Sequence, residues 1–452
     1  MMATRYEIAT TRGLGWFGIA RLGLVQSAIG AIVMLATSLL NRVMVVEYVL
    51  PVALPAGLVA WHYAVQLSRP AWGHTSDKGR QRTPWIIMGM GILALGALLA
   101  VDALAMVAGG GAVSGYALLV LAFTMIGAGV GAAGTSLLAL LATRVAPERR
   151  AAAASITWIM MIAGIVVTAG VAGSLIDPFS LARLAMVSGG VALAAFLLSI
   201  VAIWGVESGN AAVAAPRDAP KVAFRDALAE IAADAEARRF TLFIFLSMLA
   251  YSMQDLILEP FAGLIFALTP GQSTQLSGAQ HGGVLAGMLL VGIGGSLFGG
   301  RTPAALRRWT FAGCIGSAAA LLGLAMAARV GIDWPLRANV MLLGFANGVF
   351  AVAAIGTMMA LAGAGSSVER GPREGVRIGV WGAAQAIAFG TGGLIGALAV
   401  DAIRAAGGST EHAFTLVFGA EALLFLAAAW LALHVARGVS RRTVILTGEM
   451  AT

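Results

Sequence analysis

The chain has 452 residues, of which 59% are hydrophobic and only 11% carry a charged side chain. Its mean hydropathy of +0.89 lies far above the range of water-soluble globular proteins. This composition excludes a soluble enzyme and indicates a protein whose solvent is mainly the lipid bilayer.

The apolar residues are grouped into segments long enough to cross a bilayer as α-helices. A spanning helix needs about 20 mostly apolar residues, because it must satisfy its backbone hydrogen bonds internally. The sequence predicts an all-α membrane protein with twelve such spans, numbered in chain order. They lie at 22–44, 49–68, 84–107, 115–142, 153–176, 183–206, 240–264, 281–300, 309–329, 336–362, 376–400 and 412–436.

The basic residues test this helix count independently. Cytoplasmic loops are enriched in lysine and arginine, and all but five of the 29 basic residues fall on the side that holds the N-terminus. Both ends of the chain are therefore predicted to be cytoplasmic. The net charge of +8 then belongs to loops that face anionic lipid, and no nucleic acid is expected as a partner. The five exceptions are Arg42, Arg183, Arg329, Arg337 and Arg404.

One long polar stretch, residues 207–239, separates six spans from six. Within it, Phe224, Leu228 and Ile231 follow helical spacing, which indicates a short amphipathic helix on the membrane surface. A solvated tether is the alternative. The predicted organisation is a cytoplasmic lead-in at 1–21, a six-helix bundle at 22–206, a linker at 207–239, a second six-helix bundle at 240–436 and a cytoplasmic tail at 437–452.

The two halves also resemble each other in sequence, as expected of a duplicated membrane fold. Trp158 precedes Asp177 by 19 residues, and Trp381 precedes Asp401 by 20. Gly134-Thr135 recurs in the same way as Gly356-Thr357. The sequence therefore predicts two pseudo-repeat halves.

The loop between spans two and three reads Gly73-His-Thr-Ser-Asp77-Lys-Gly79-Arg80-Gln-Arg82. Together with the six-plus-six plan, this loop resembles the major facilitator superfamily, whose loop motif is G-x-x-x-D-[RK]-x-G-[RK]-[RK]. The chain lacks one residue between Asp77 and Gly79, so it departs from the motif where the loop usually acts in gating.

Further segments resemble the PucC/LhaA family, the bacteriochlorophyll-delivery branch of that superfamily. They are Leu40-Asn-Arg-Val-Met-Val-Val-Glu47, His62 with Val65-Gln66, Arg82-Thr-Pro-Trp85, Gln254-Asp-Leu-Ile-Leu-Glu-Pro-Phe261 and Trp381-Gly-Ala-Ala-Gln385. The resemblance implies an assembly factor for bacterial light-harvesting antenna complexes, which binds bacteriochlorophyll, with carotenoid as a second pigment, and delivers it to newly inserted antenna polypeptides.

The same resemblance implies a location in the bacterial intracytoplasmic photosynthetic membrane. Antenna polypeptides are the expected partners, together with the reaction-centre core complex or the pigment-synthesis machinery. The alternative function is a proton-coupled secondary transporter of a small solute. No nucleophile–base pair, metal cluster or phosphate loop occurs in the polar segments, so we do not expect an enzyme.

His62, near the middle of span two, is the leading candidate for a pigment ligand. A neutral imidazole nitrogen is a good axial ligand for the magnesium of a chlorin ring. Gln66 lies one turn further on, and Trp61, Trp381 and Gln385 are candidate pigment contacts. The alternative is a histidine hydrogen-bonded to a neighbouring helix and tryptophans that only pack. His281 and His412 are predicted at the ends of spans eight and twelve, and are weaker candidates.

Spans one and seven carry a polar cluster that is unfavourable in lipid unless it has a partner or a function. Its members are Asn41, Arg42, Glu47, Gln254, Asp255 and Glu259. Asp255 and Glu259 share a helix face. Because spans one and seven are equivalent in the two halves, we expect Arg42 to pair with Asp255 or Glu259, with Glu47 capping it. The alternative is that the charges extend separately into the headgroup region.

Overall fold

The structure, a computed structural model, describes residues 13–69, 72, 81–207, 235–297, 303–364 and 374–434. These residues form twelve long or medium-length helices and contain no strand. The helices are α1 Trp16–Glu47, α2 Ala53–Val65, α3 Thr83–Ala108, α4 Ala112–Arg144, α5 Pro147–Leu175, α6 Leu181–Ile203, α7 Ala235–Phe266, α8 Pro270–Leu297, α9 Pro303–Val330, α10 Leu336–Ala364, α11 Glu374–Ala405 and α12 Thr410–His434.

The predicted all-α membrane architecture is confirmed. Eleven helices among the described residues are long and apolar enough to cross a membrane. The remaining one, α2, has 13 residues and continues into a 3₁₀ turn at Gln66–Ser68. It follows Pro51 and occupies most of the predicted second span.

The predicted start of the eighth span is wrong. Helix α8 begins at Pro270, whereas the sequence predicted 281. The first residues of α8 are polar, as in a loop, but Ser273 and Thr274 are completely buried. Helix α7 likewise begins at Ala235, inside the predicted linker. Residues 208–234, with the predicted amphipathic segment, lie outside the described residues.

The bundle has two ends, which we name by their residues. The linker end is where α6 ends and α7 begins, and the Arg42 end is the opposite one, where α1 ends. The five basic residues that depart from the charge pattern all lie at the Arg42 end, in or beside the terminal turns of α1, α6, α9, α10 and α11. The helix order therefore agrees with the charge partition. The cytoplasmic assignment of the linker end stays a prediction.

Helix packing separates the first six helices from the last six. Within the first half, α1 packs on α5 and α6, and α3 packs on α4. In the second half, α7 packs on α11 and α12, and α10 packs on α8 and α9. The halves meet where α5 contacts α8, where α2 contacts α11, and where α1 contacts α7 and α8.

Four glycines let α8 and α10 touch along their backbones. A Cβ atom added at Gly283 or Gly287 would lie 2.3 or 2.2 Å from a carbonyl oxygen of α10. At Gly344 and Gly348 the distance to a carbonyl oxygen of α8 would be 1.9 and 2.1 Å. Small residues at such spacing allow helices to approach closely in lipid, where tight packing replaces the hydrophobic driving force.

Two aspartates join the halves at the Arg42 end. Asp177, which follows α5, accepts hydrogen bonds from the Gly271 N–H (3.1 Å) and the Thr269 hydroxyl at the start of α8. Asp401 of α11 accepts one from the N–H of Ala53, the first residue of α2 (2.7 Å). The first N–H groups of a helix lack intrahelical acceptors and favour negative charge. The repeated aspartates Asp177 and Asp401 therefore make the same kind of helix-capping contact, each from one half of the molecule to the other.

A third carboxylate caps α3 at the linker end. Glu207, just after α6, accepts hydrogen bonds from the N–H groups of Arg82 (3.0 Å) and Thr83 (2.7 Å). Burial alone would raise the pKa of the Glu207 carboxyl, but these bonds, the Thr83 hydroxyl and the nearby Arg144 hold that pKa below the ordinary glutamate value. The end of the first bundle thereby holds the start of α3 in place.

We predict that Glu207→Gln lowers the free energy of unfolding by about 1 kcal/mol at neutral pH, the usual cost of weakening a helix cap. The folded-state pKa is depressed, so the contribution is present above the unfolded value of about 4.3 and disappears as the pH falls through the folded value. Unfolding of the detergent-purified protein, followed from pH 7 downwards, should show the two proteins converging in acid. The control is Asp333→Asn, which changes an exposed carboxyl. This variant should be as stable as the wild type throughout the pH series.

Candidate functional site

The most polar part of the described membrane interior lies where α1, α7 and α8 meet. Helix α1 is irregular here, with π-helical turns at Leu35–Leu39 and Val43–Glu47 on either side of Leu40–Arg42. Such turns are rare, distort the regular hydrogen-bond ladder and occur often at functional sites. They direct Ser38, Asn41 and Arg42 towards the second half of the molecule, where all three find partners.

Asn41 compensates for a proline in α7. Pro260 lies inside that helix and has no N–H, so the Leu256 carbonyl four residues earlier loses its usual donor. The Asn41 side-chain amide donates to the Leu256 carbonyl at 2.7 Å, and Asn41 is completely buried. The asparagine of one half therefore satisfies a backbone group that the other half leaves open.

A double-mutant cycle tests this compensation. Asn41→Leu should destabilise the protein by about 1–3 kcal/mol, because it leaves a buried carbonyl without a donor. Pro260→Ala restores an N–H to α7, so the same Asn41→Leu change should cost markedly less in that background. The free energy of unfolding of the four proteins gives the coupling. Equal costs in both backgrounds would show that Asn41 acts through some other contact.

Arg42 pairs within its own helix. Its guanidinium forms an ion pair with Glu47 and donates to the Leu268 carbonyl at 2.5 Å, just beyond the end of α7. Within the described residues Arg42 forms no ion pair with Asp255 or Glu259, so the expected pairing is corrected. The π-helical turn Val43–Glu47 brings Glu47 round to the guanidinium. Because Arg42 is only 2% exposed, it also does not extend freely into the headgroup region.

Among the described residues, Asp255 and Glu259 of α7 have no cation in contact. The Ser38 hydroxyl donates to Glu259, whose second carboxyl oxygen has no partner among the described residues. Asp255 is half-buried, and Tyr63, Tyr251 and Glu421 lie within its electrostatic range. Gln254 is fully buried and both its amide atoms lack described partners.

Glu421 of α12 belongs with this group and was missed from the sequence. It is fully buried, and neither carboxyl oxygen has a hydrogen-bond partner in the described structure. The available signal was simple, because an ionisable residue in the middle of a membrane span is a functional candidate by default. Its interaction with Asp255 extends the acidic group from α7 to α12.

His62 is enclosed in the first half. Its Nε2 atom lies 2.7 Å from the Gln66 side-chain nitrogen, and the residue is 2% exposed. Gln66 in turn accepts a hydrogen bond from Arg69. Helix α4 approaches so closely that a Cβ at Gly127 would lie 2.6 Å from the His62 carbonyl oxygen. Gln66 therefore occupies the Nε2 nitrogen of the imidazole, whereas the buried Nδ1 nitrogen has no hydrogen-bond partner among the described residues. His62 stays a predicted ligand through Nδ1, but because the residue is only 2% exposed, a macrocycle would reach that nitrogen only if the surrounding helices moved apart.

The structure does not bring the other predicted pigment contacts together. Trp61 of α2 is 46% exposed, and its N–H donates to the Thr124 hydroxyl at 2.8 Å. Trp381 is buried in α11, donates to Thr241 at 3.1 Å and packs edge-on against Phe240. Gln385 is half-buried one turn further along α11.

The remaining predicted positions divide between described and undescribed residues. Four positions of the loop motif lie outside the described residues, namely Gly73, Asp77, Gly79 and Arg80. The backbone N–H of Arg82, the last position, donates a hydrogen bond to Glu207. His281 was predicted at the end of a span but lies within α8, with Nδ1 bonded to the Ser277 carbonyl at 2.9 Å. That correction follows from the earlier start of α8.

Known proteins resemble this chain in sequence over almost its entire length. A family model described as PUCC protein matches residues 39–440. A Rhodobacter capsulatus protein named bacteriochlorophyll synthase 44.5 kDa chain is 51% identical over 440 residues, 96% of this chain and 100% of that one. Protein PucC of Cereibacter sphaeroides is 30% identical over 390 residues, 82% of this chain and 81% of that one. An uncharacterised protein from the puhA-bchM intergenic region of Rhodobacter capsulatus is 30% identical over 394 residues, 85% of this chain and 80% of that one.

Solved structures resemble it in fold. A bacterial homologue of the human lysosomal transporter Spinster, in an inward-facing and unoccupied conformation, aligns with a TM-score of 0.65 at 14% identity, covering 93% of this chain and 96% of that one. A mutant of the nucleoside transporter NupG aligns with a TM-score of 0.66 at 12% identity, covering 93% of this chain and 100% of that one. The predicted major facilitator fold is confirmed. This multi-pass membrane protein belongs to the PUCC protein family.

Proposed function

We propose that this protein is an assembly factor for bacterial light-harvesting antenna complexes, which binds bacteriochlorophyll and delivers it to newly inserted antenna polypeptides. It works in the intracytoplasmic photosynthetic membrane with both termini in the cytoplasm. Carotenoid is a second candidate cargo, and the reaction-centre core complex and the pigment-synthesis machinery are further candidate partners.

Family membership carries this proposal. The family match extends over both six-helix halves, and two relatives, one named Protein PucC and one from the puhA-bchM intergenic region, are 30% identical over more than four fifths of this chain. A pigment as hydrophobic as bacteriochlorophyll partitions into the bilayer, so a carrier for it can use its lipid-facing surface. The proposal therefore does not need an aqueous route through the centre of the bundle.

The exposed face of α2 is the described surface best suited to such a contact. Trp61 presents an exposed indole there, and the hydrogen bond from its N–H to Thr124 fixes the ring. A fixed and exposed aromatic ring offers its face for stacking on a flat apolar ligand. Trp61 is thus our candidate pigment contact, in preference to the enclosed His62.

Gentle solubilisation and purification from a pigmented host test the proposal. The purified protein should show bacteriochlorophyll absorption in the near infrared and should co-elute with antenna polypeptides. Trp61→Leu should reduce the bound pigment several-fold, whereas Trp430→Leu, at another exposed tryptophan, should not. A wild-type protein that is colourless and free of antenna polypeptides would reject the proposal.

The buried carboxyl groups favour a second candidate, a proton-coupled secondary transporter. Glu259 and Glu421 are fully buried within spans and Asp255 is half-buried beside them, and intramembrane acids often serve as proton relays. Reconstitution into liposomes separates the two functions. Solute uptake driven by a proton gradient and abolished by Asp255→Asn, in a protein without pigment, would support the transporter.

We propose that the protein is not an enzyme, although the name of the 51% identical relative describes a synthase. A delivery factor returns its pigment unchanged. The mass of the pigment before and after incubation with purified protein should therefore be identical, and a mass change that depends on the protein would indicate catalysis.

A further inference from the structure

Three side-chain oxygens from three helices converge at the centre of the polar region. The Ser38 hydroxyl of α1 bonds the Glu259 carboxylate of α7 and lies 3.1 Å from the Ser277 hydroxyl of α8. All three residues are less than a tenth exposed. We refer to Ser38, Glu259 and Ser277 as the oxygen triad.

The triad has unused bonding capacity. The second carboxyl oxygen of Glu259 has no partner among the described residues, although the side chain is only 2% exposed. Thr274, one turn before Ser277 on the same face of α8, is completely buried and its hydroxyl also lacks a described partner. Buried polar atoms without partners are strongly unfavourable unless a ligand completes them.

The negative charge around Glu259 favours a bound cation. Arg42 lies within electrostatic range of Glu259, but its guanidinium is engaged by Glu47 and the Leu268 carbonyl. On the same helix Asp255 adds a further carboxyl, and His281 of α8 points one ring nitrogen at the Ser277 carbonyl. Ionised Glu259 would thus leave an excess negative charge in a membrane interior, which is costly.

The backbone around the triad has the irregularity found at ion sites of membrane proteins. Ser38 lies within the π-helical turn Leu35–Leu39, and Glu259 directly precedes Pro260. Interrupted helices at the middle of a membrane, in equivalent places of two repeats, are where coupling ions are held. Hydroxyl and carboxylate oxygens are the donors preferred by small hard cations.

We propose that the oxygen triad binds a small monovalent cation, Na⁺ or H⁺, between the two halves. Bound to Glu259, the cation neutralises the carboxylate and links α1 of the first half to α7 and α8 of the second. The cation site does not depend on pigment binding, so an experiment can reject it without rejecting the proposed function.

Thermal unfolding of the purified full-length protein tests the site and distinguishes the two ions. Na⁺ is titrated at pH 8.5 against choline at constant ionic strength, and in a second series the pH is varied without Na⁺. A Na⁺ site raises Tm saturably in the wild type and not in Glu259→Gln. A proton site gives no response to Na⁺, and Tm falls with rising pH more steeply in the wild type than in Glu259→Gln, because ionisation of an uncompensated buried carboxyl is unfavourable and the variant retains only Asp255 and Glu421.

Two further variants keep the test decisive. Glu411→Gln, at an exposed glutamate of α12, should respond like the wild type. Ser277→Ala keeps the carboxylate and loses one oxygen, so it should weaken the apparent cation affinity about tenfold, the scale of effect expected for a supporting ligand. If Glu259→Gln does not fold, Ser277→Ala decides alone. A response to Na⁺ or pH that is the same in wild type, Glu259→Gln and Ser277→Ala would overturn the proposal, as would no response in any of them.

Discussion

Arg42→Met is expected to lower the free energy of unfolding by about 1.5–3 kcal/mol, the usual contribution of hydrogen bonds made by a charged group, because Glu47, the other member of the ion pair, is itself exposed. The guanidinium is 2% exposed and bonds both Glu47 and the Leu268 carbonyl. Methionine retains the apolar length but provides no donor for either acceptor. Equilibrium unfolding of the detergent-purified protein by a denaturing detergent measures the loss. Arg404→Met, at an exposed arginine of the same end, should remain within about 0.5 kcal/mol of wild type.

The partner of Arg42 can be identified from coupling free energies. The cycle of Arg42→Met with Glu47→Gln should give a coupling of about 1–3 kcal/mol, because the two side chains are in contact. The cycle with Asp255→Asn should give a smaller value. A larger coupling to Asp255 than to Glu47 would reinstate the pairing expected from the sequence.

Gly283→Ala is expected to destabilise the protein by about 1–3 kcal/mol, the usual cost of overpacking a close-packed interior. Its Cβ would lie 2.3 Å from the Met341 carbonyl oxygen, which cannot move without shifting α10. Gly282 provides a matched control on the next residue of α8, because its Cβ would meet nothing within 4 Å. Gly282→Ala should be neutral or stabilising by up to about 1 kcal/mol, since alanine favours helix.

The same unfolding measurement compares the two alanine variants. If Gly282→Ala and Gly283→Ala lose stability equally, the effect arises from a general intolerance of α8 to side chains. The contact between the backbones of α8 and α10 would then contribute little.

The helices could be predicted from sequence because a segment that crosses the bilayer must be apolar over most of its length, and the hydropathy of the sequence shows this directly. Eleven of the predicted spans correspond to helices of spanning length. The start of α8 was missed for the same reason. Ser273 and Thr274 are polar, yet they face other helices and not lipid, so their polarity gave no reliable sign of a loop.

The direction of the charged side chains could not be predicted in the same way. A regular rise of 1.5 Å per residue correctly places Arg42 near one end of α1, but the two π-helical turns change which face it occupies. The contact from Asn41 to the Leu256 carbonyl was equally hidden, because it depends on how two helices from different halves cross. For His62, the sequence indicated a polar group in a span and left open whether a ligand or a neighbouring residue satisfies it; in the structure the neighbour is Gln66.

The aspartate caps have a consequence for how the two halves arose. Asp177 in the fifth helix region of the first half caps the second helix of the second half, and Asp401 makes the reciprocal contact. Reciprocal contacts of this kind are those of a twofold symmetric homodimer. An ancestral six-helix chain with one such aspartate would already hold two copies of itself together at both seams. Gene fusion would then preserve an interface that needed no redesign.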